Sequence, residues 1–242
     1  MPDLGVDFTR PLKYPAPMPA PTVPHPSHPP AAAEAARYAL LRRLAPSMRH
    51  HLVVNLQPIG MIYEVMDRRL RAPVPDLGHV QDSAGKINGF AKAALNSCID
   101  VVSWLAPDDA VAVTVDDAVR ECTALLATSL SFRGYALRNN VTPLSGHVQR
   151  SGIRSVLSAV LIHCTDHVPA PADLEITATA EAAGARLEVA TRAPQGDKGF
   201  TGEPSYRRIT WEDLQALAAA DGVALQRDGD RIALRLPWME AA

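Results

Sequence analysis

The stretch from residue 31 to residue 72, AAAEAARYALLRRLAPSMRHHLVVNLQPIGMIYEVMDRRLRA, decides the fold of this 242-residue chain. It is rich in residues that favour helix, and it has no glycine before Gly60. At 100° per residue its apolar side chains gather on one side over about eight turns. They are Leu41, Leu44, Met48, Leu52, Leu56, Ile59, Ile62, Tyr63, Met66 and Leu70. The pattern predicts one long helix, and the length of the stripe indicates a bundle seam rather than a single surface helix.

A second helix is predicted in HVQDSAGKINGFAKAALNSCIDVVSWLA, which begins at His79. Its apolar residues again keep helical spacing: Val80, Ile87, Phe90, Ala94, Ile99, Val102 and Leu105. A two-helix hairpin cannot bury its own seam, so we expect two copies to pair as a four-helix bundle in a homodimer. Residues 31–106 are therefore predicted to form a helical hairpin for dimerisation.

From residue 107 onward the pattern mixes helices and strands. Helices are predicted over 115–134, 152–167 and 209–222, the last capped by Thr210 with Asp213 at the N3 position. Strands are predicted over 135–141, 174–180 and 186–192, with a closing hairpin over 223–238. The predicted fold class is α+β, with residues 107–242 forming a sandwich. Ten of the 21 prolines lie in residues 1–30, which we expect to be a disordered tail, either a flexible leader or a docking ligand.

Composition and charge exclude several function classes. The balance of 24 Lys and Arg against 26 Asp and Glu gives a net charge of −2, which argues against a nucleic-acid partner. No run approaches the roughly 18 apolar residues that a membrane span requires. The three cysteines are odd in number and form no CxxC pair, so neither disulfides nor a zinc ribbon is indicated. With no secretory signal in MPDLGVDFTRPLKYP, a cytoplasmic location is expected.

The order of elements over residues 35–238 resembles the cytoplasmic core of a bacterial sensor histidine kinase. Within it, VTVDDAVRECTALLATSLSFRGYALRNNV and SGIRSVLSAVLIHCTDH are similar to helices and a strand of the kinase ATPase domain. RHHLVVNLQPI, residues 49–59, is similar to the RHDxxNxLQxI phosphoacceptor box of sporulation-type histidine phosphotransferases and related kinases. The resemblance implies a phosphoacceptor hairpin followed by an ATPase-type domain.

Three parts of the nucleotide site of that family are missing here. Ala159 and His163 stand where the family has its magnesium-binding asparagine. The stretch 191–197, TRAPQGD, lacks the aspartate of the DxGxG strand exit, and the loop 196–208 lacks the glycine-rich lid. We therefore expect a degenerate ATPase domain that binds no ATP, no other cofactor and no metal. His163 and His167, four residues apart, form a metal pair only in a less favoured alternative.

Helical geometry distinguishes the two histidines of the acceptor box. Relative to Leu52, His50 lies at about 160° and His51 at about 260°, so His50 points away from the seam while His51 borders it. Phosphoryl transfer needs in-line approach to an unhindered imidazole nitrogen. His50 is therefore the candidate catalytic residue, with His51 as the secondary candidate and an ordinary solvated histidine as the alternative.

The outer face of the same helix carries a candidate partner-docking surface. Its residues follow His50 at helical spacing: Val54, Gln57, Met61 and Arg68. Exposed apolar residues beside an acceptor histidine would suit a receiver domain. The alternative is that Val54 and Met61 simply face the second helix.

These observations leave three functional hypotheses. The first is a dimeric histidine phosphotransferase or pseudokinase of a phosphorelay, without ATP-dependent kinase activity, in which His50 passes phosphate between receiver aspartates. The second is a divergent histidine kinase with residual ATP binding. The third is a non-catalytic dimeric scaffold that binds a response regulator.

Overall fold

The computed structural model describes residues 30–194 and 206–239. Two long helices come first, α1 (Ala31–Leu70) and α2 (Leu77–Leu105). They are followed by β1 (Ala112–Val113), α3 (Val115–Phe132), β2 (Tyr135–Asn139), β3 (Val148–Gln149), α4 (Arg150–His167), β4 (Ala172–Glu181), β5 (Gly184–Arg192), α5 (Trp211–Ala220), β6 (Ala224–Asp228) and β7 (Arg231–Pro237). The predicted α+β class is confirmed. Apart from Pro30, the proline-rich tail predicted over 1–30 lies outside the described residues.

The helical hairpin packs through residues that alternate at spacings of three and four. Asn55 Nδ2 donates to Ser97 Oγ at 3.0 Å and marks where the two helices meet. The less exposed positions of the hairpin include a series at spacings of three and four: Leu52, Asn55, Ile59, Ile62 and Met66 on α1, and Val80, Ser83, Ile87, Phe90, Ala94, Ser97, Val101 and Trp104 on α2. This is the spacing of coiled-coil seams. None of the described helices has the length and apolar character needed to cross a bilayer.

Part of the predicted seam does not lie between the two helices. Ile99, Val102 and Leu105 are exposed, because the seam that passes through Ala94 continues along α2 to Val101 and Trp104. On α1, Leu56 and Tyr63 are likewise 51% and 56% exposed. The broad apolar stripe predicted from the sequence therefore consists of two faces of the helix. One face packs against α2, and the other is exposed in the single chain.

The second part of the chain is a five-stranded sheet packed against helices. The strand order is β2-β4-β5-β7-β6, with β2 parallel to β4 and the other pairs antiparallel. Alternate residues of β4, β5 and β7 are buried in the core with α3, α4 and α5, as the predicted strands require. The hairpin between β4 and β5 turns at Ala182 and Ala183, and a Cβ on Gly184, the first residue of β5, would lie 2.1 Å from Leu236 O. Sequence reasoning missed the short pair formed by β1 and β3.

The first half of α1 belongs to the core of the sandwich. Ala33, Ala36, Ala39, Leu40 and Leu44 are buried, and this part of the helix packs against α3, α4 and α5. Small residues at a spacing of three allow close approach of neighbouring helices. The two parts predicted on either side of residue 106 therefore share α1.

Candidate functional site

His50 is exposed on α1, two residues after Met48, which is the last buried residue of that helix. Its neighbour His51 is half-buried, and the two ring centroids lie 6.3 Å apart with an interplanar angle of 66°. The backbone carbonyl of His51 accepts a hydrogen bond from Asn55 Nδ2 at 3.1 Å. The exposures of the two imidazoles agree with the helical phase derived from the sequence.

Three faces of α1 can be distinguished around His50. At 100° per residue, the α1 residues that pack against α2 share one mean direction around the helix axis. Val53, Leu56 and Tyr63 share a second mean direction, about 90° from the first. All three are exposed apolar residues in the single chain. His50 points about 160° from the α2-facing direction and about 110° from this second apolar face. Its imidazole therefore lies on a third face, away from both apolar surfaces.

The predicted docking residues share this third face. Val54 is 49% exposed and Met61 is 63% exposed, and Gln57 and Arg68 are also exposed. These values exclude the alternative in which Val54 and Met61 pack against α2. A strip of two accessible apolar side chains with polar neighbours thus runs along α1 from His50.

A buried ion pair anchors α1 to the sandwich just before His50. Arg43 donates through both terminal nitrogens to the two carboxylate oxygens of Asp166 in α4, each at 2.7 Å. The two side chains are only 5% and 0% exposed. Asp166 also accepts a hydrogen bond from the Ile209 backbone N–H at 2.9 Å, and Arg43 donates to the Arg207 carbonyl at 3.1 Å. Sequence reasoning missed this pair, whose members are 123 residues apart and carry no local signal.

A second arginine links the other hairpin helix to the sandwich. Arg154 of α4 donates to Asp100 and Ser103 of α2 at 2.8 Å each, and to Glu121 of α3 at 2.7 Å. Its guanidinium also lies 5.0 Å from the ring centre of Trp104. Burial raises the pKa of the Glu121 carboxyl, but hydrogen bonds from Arg150 and Arg154 outweigh burial and hold that pKa below its usual value. Both helices of the hairpin are thus fixed to α4.

The positions that correspond to the magnesium site lie in the core. Ala159 is fully buried and His163 is 4% exposed, on a helix that is buried continuously from Val156 to Asp166. His163 Nδ1 and His167 Nε2 lie 2.8 Å and 3.0 Å from the same acceptor, the Ile209 carbonyl. Each of these nitrogens therefore donates to the carbonyl, so in the neutral rings only the opposite nitrogens, His163 Nε2 and His167 Nδ1, keep a lone pair. In the described part of the chain no cluster of three or more metal-ligating side chains occurs.

The two loop segments that depart from the kinase pattern are only partly described. Thr191 and Arg192 end β5, and Thr191 N–H donates to the Asp230 carbonyl at 3.0 Å. Residues 195–205, which include most of the 196–208 loop, lie outside the described residues. At its end, Tyr206 contacts α1, with its ring edge-on to Tyr38 at 6.4 Å and under Arg42 at 5.2 Å.

Comparison with known proteins finds similarity in structure alone. No family model and no curated protein matches the chain. A solved structure of a bacterial phosphotransferase is 13% identical with a TM-score of 0.38, covering 81% of this chain and 95% of its own. The Acinetobacter baumannii histidine kinase AdeS is 11% identical with a TM-score of 0.41, covering 79% of this chain and 98% of its own. The catalytic domain of histidine kinase ThkA is 13% identical with a TM-score of 0.41, covering 53% of this chain and 96% of its own.

The similar structures are those of histidine kinases and of a bacterial phosphotransferase. Likeness at this level assigns neither a family nor an activity to this chain.

Proposed function

We propose that this chain is a dimeric histidine phosphotransferase of two-component signalling, in which His50 accepts a phosphoryl group from one receiver aspartate and passes it to another. The observation that carries the proposal is the position of His50. It is exposed on a face of α1 that neither α2 nor the second apolar face occupies. An imidazole in this position is open to in-line approach by a bulky donor domain.

The chemistry requires only a nucleophile and an activated donor. A neutral imidazole nitrogen of His50 attacks the phosphorus of the aspartyl phosphate, a P–N bond forms, and the P–O bond to the aspartate breaks. The aspartate leaves as a carboxylate, and the second imidazole nitrogen keeps its proton in the phosphoimidazole that forms. Transfer to the next receiver reverses these steps with a new carboxylate as nucleophile. The acyl phosphate supplies the driving force, so ATP is not needed.

Dimerisation is supported by the uncovered apolar faces of the hairpin. On α1 the face contains Val53, Leu56 and Tyr63, and on α2 it contains Leu95, Ile99 and Val102, all exposed in the single chain. On each helix it lies roughly 90° or more from the face used inside the hairpin. A helix in a four-helix bundle touches two neighbours, so a second hairpin related by a two-fold axis would cover both surfaces.

The alternative of a divergent kinase is less well supported. A magnesium ion bridging ATP phosphates requires oxygen ligands facing a cleft. Ala159 has no such ligand, and His163 lies in the core with its Nδ1 bonded to Ile209. The sandwich instead supports α1 through its contacts with the first half of that helix. The third hypothesis is a scaffold that binds a response regulator without phosphoryl transfer. It predicts the same exposed surfaces, but it gives the His50 imidazole no chemical role.

The test is incubation of the purified protein with a panel of bacterial receiver domains phosphorylated by radiolabelled acetyl phosphate. The proposal expects label on this chain that is labile in acid and stable in base, as a phosphoramidate is. Label acquired from ATP and magnesium alone would favour the kinase. Binding of a receiver without any transfer of label would favour the scaffold.

A further inference from the structure

We propose that the sandwich supplies a second half of the receiver-docking surface, formed by Arg208 and Phe132, and held in fixed register with His50. This inference rests on the proposed function, because the partner is the receiver domain that exchanges phosphate with His50.

Two ion pairs of α1 with the sandwich show how this helix is oriented relative to α4. Arg37 pairs with Asp221 at 2.7 Å, and Asp221 also lies against Gly152 at the start of α4. Further along, Arg43 pairs with Asp166 near the end of α4. The helices α1 and α4 therefore run in the same direction, and α1 continues past the end of α4 to His50, about 10 Å beyond Arg43.

The end of α3 lies at the same place. Arg133, directly after α3, donates to Thr165 Oγ1 and to the Thr165 carbonyl at 3.1 Å each, and lies 3.5 Å from Asp166. Phe132, the last residue of α3, is therefore one residue from the cluster that anchors α1. Its side chain is 74% exposed, an unusual state for a phenylalanine.

Arg208 lies beside the same anchor. The preceding carbonyl, that of Arg207, accepts from Arg43, and the following N–H, that of Ile209, donates to Asp166. Arg208 is exposed and forms no ion pair with the residues that the structure describes. By contrast, Arg43 and Arg207 are each paired with an aspartate. By helical phase, Arg43 points within about 20° of the direction of His50. The segment that contains Arg208 therefore contacts α1 on the face that carries His50, and not on the second apolar face.

The charge of this surface fits one occupant. A phosphorylated receiver carries a phosphoryl dianion at a site that must also provide carboxylates for a divalent cation, so its active face is acidic. An exposed guanidinium that has no acidic partner among the described residues, on the side of α1 that carries His50, would attract that face, and Phe132, Val54 and Met61 offer it apolar contacts. A docked domain that covers about 800 Å² can reach from His50 to the end of α3. Because Arg43 and Arg154 lock the hairpin to α4, the two halves of the surface keep their spacing.

The experiment uses the full-length protein and the receiver domain that labels it. Arg208→Glu and Phe132→Ala are compared with wild type and with Arg227→Glu, a charge reversal at an exposed arginine of the edge strand β6. We expect the concentration of phosphorylated receiver needed for half-maximal transfer to rise tenfold or more in Arg208→Glu and several-fold in Phe132→Ala. The rate at saturating receiver and the melting curve of these two variants should stay at wild-type values. Arg227→Glu, which loses the contact of its guanidinium with the Trp211 ring at 5.9 Å, should match wild type in half-maximal concentration and in saturated rate.

The outcomes separate this inference from the function on which it rests. If wild type is labelled and both variants reach half-maximal transfer at the wild-type concentration, the sandwich plays no part in docking and only this inference is wrong. If the variants lower the saturated rate without changing the half-maximal concentration, Arg208 and Phe132 do not dock the receiver, and the inference again fails. If no receiver labels wild type, both the function and the inference are overturned.

Discussion

Arg43 and Asp166 form a bidentate ion pair inside the protein, two oxygens and two nitrogens at 2.7 Å, between the first long helix and the central helix of the sandwich. The pair lies about two helical turns before His50. It is shielded from water on both sides and is reinforced by the Ile209 N–H. The sandwich thereby fixes the part of α1 from which the exposed histidine projects.

Replacing Asp166 with alanine should strongly destabilise the fold, because it leaves the Arg43 guanidinium buried without its counter-charge. Breaking a buried pair in this way typically costs about 3–5 kcal/mol. Urea unfolding followed by circular dichroism measures the loss. The matched control is Asp82→Ala, at an exposed aspartate of α2, which should change the free energy of unfolding by less than about 0.5 kcal/mol. Equal effects of the two substitutions would show that the ion pair does not anchor α1.

Stability should fall in mild acid because of His163. Burial holds the pKa of this imidazole below its ordinary value of about 6.5. As pH falls below about 6.5, the unfolded chain takes up the proton while the folded chain does not, so the free energy of unfolding decreases until the pH passes the lowered folded-state pKa. Urea unfolding between neutral pH and mild acid measures this slope. His163→Asn keeps a donor for the Ile209 carbonyl and should flatten the slope, and a slope unchanged in that variant would assign it to other groups.

The uncovered face of the hairpin should hold a parallel two-fold dimer. Leu56→Asp places a charge on that face without touching the seam inside the hairpin, so we expect a folded monomer by sedimentation and circular dichroism. Val65→Asp is the control, because Val65 is also exposed but lies on neither apolar face. Ile59→Asp should instead loosen the hairpin, since Ile59 faces α2. A wild-type monomer at micromolar concentration would contradict the bundle.

Restoring the family's magnesium ligand should not restore nucleotide binding. Ala159→Asn puts an amide into a fully buried position that offers no prepared partner, and such burial costs about 1–3 kcal/mol. We expect a lower melting temperature and no heat of ATP and magnesium binding by calorimetry, in the variant as in wild type. Micromolar ATP affinity in either protein would support the divergent kinase instead.

Much of the fold could be predicted from the sequence, because helix and strand periodicity are local properties. The spacing of Leu52, Ile59 and Met66 predicted α1, and alternation predicted β4 and β5. The division of the stripe into two faces could not be predicted, since Ile59 and Leu56 are equally apolar and only the partner helix distinguishes them. Ala33, Ala36 and Ala39 were read as helix formers, although their spacing is also typical of close helix packing.

Only the features of the candidate site that depend on α1 alone could be predicted from the sequence. Exposure of His50 and partial burial of His51 follow from helical phase, which the sequence contains. The Arg43–Asp166 pair and the position of Arg208 depend on how the sandwich folds over α1, and no sequence spacing encodes them. Phe132 lies within the helix predicted over 115–134, and only its exposure in the folded chain distinguishes it.

The most direct test of the central claim compares His50→Ala and His51→Ala for uptake of phosphate from a labelled receiver domain. His50→Ala should keep the fold and the dimer, because an exposed side chain contributes little packing, and it should lose all acid-labile label. His51→Ala should lose some stability, because this side chain is half-buried, and should still be labelled. Label retained in His50→Ala but lost in His51→Ala would contradict the assignment of His50, and a wild type that never acquires label would contradict phosphotransfer itself.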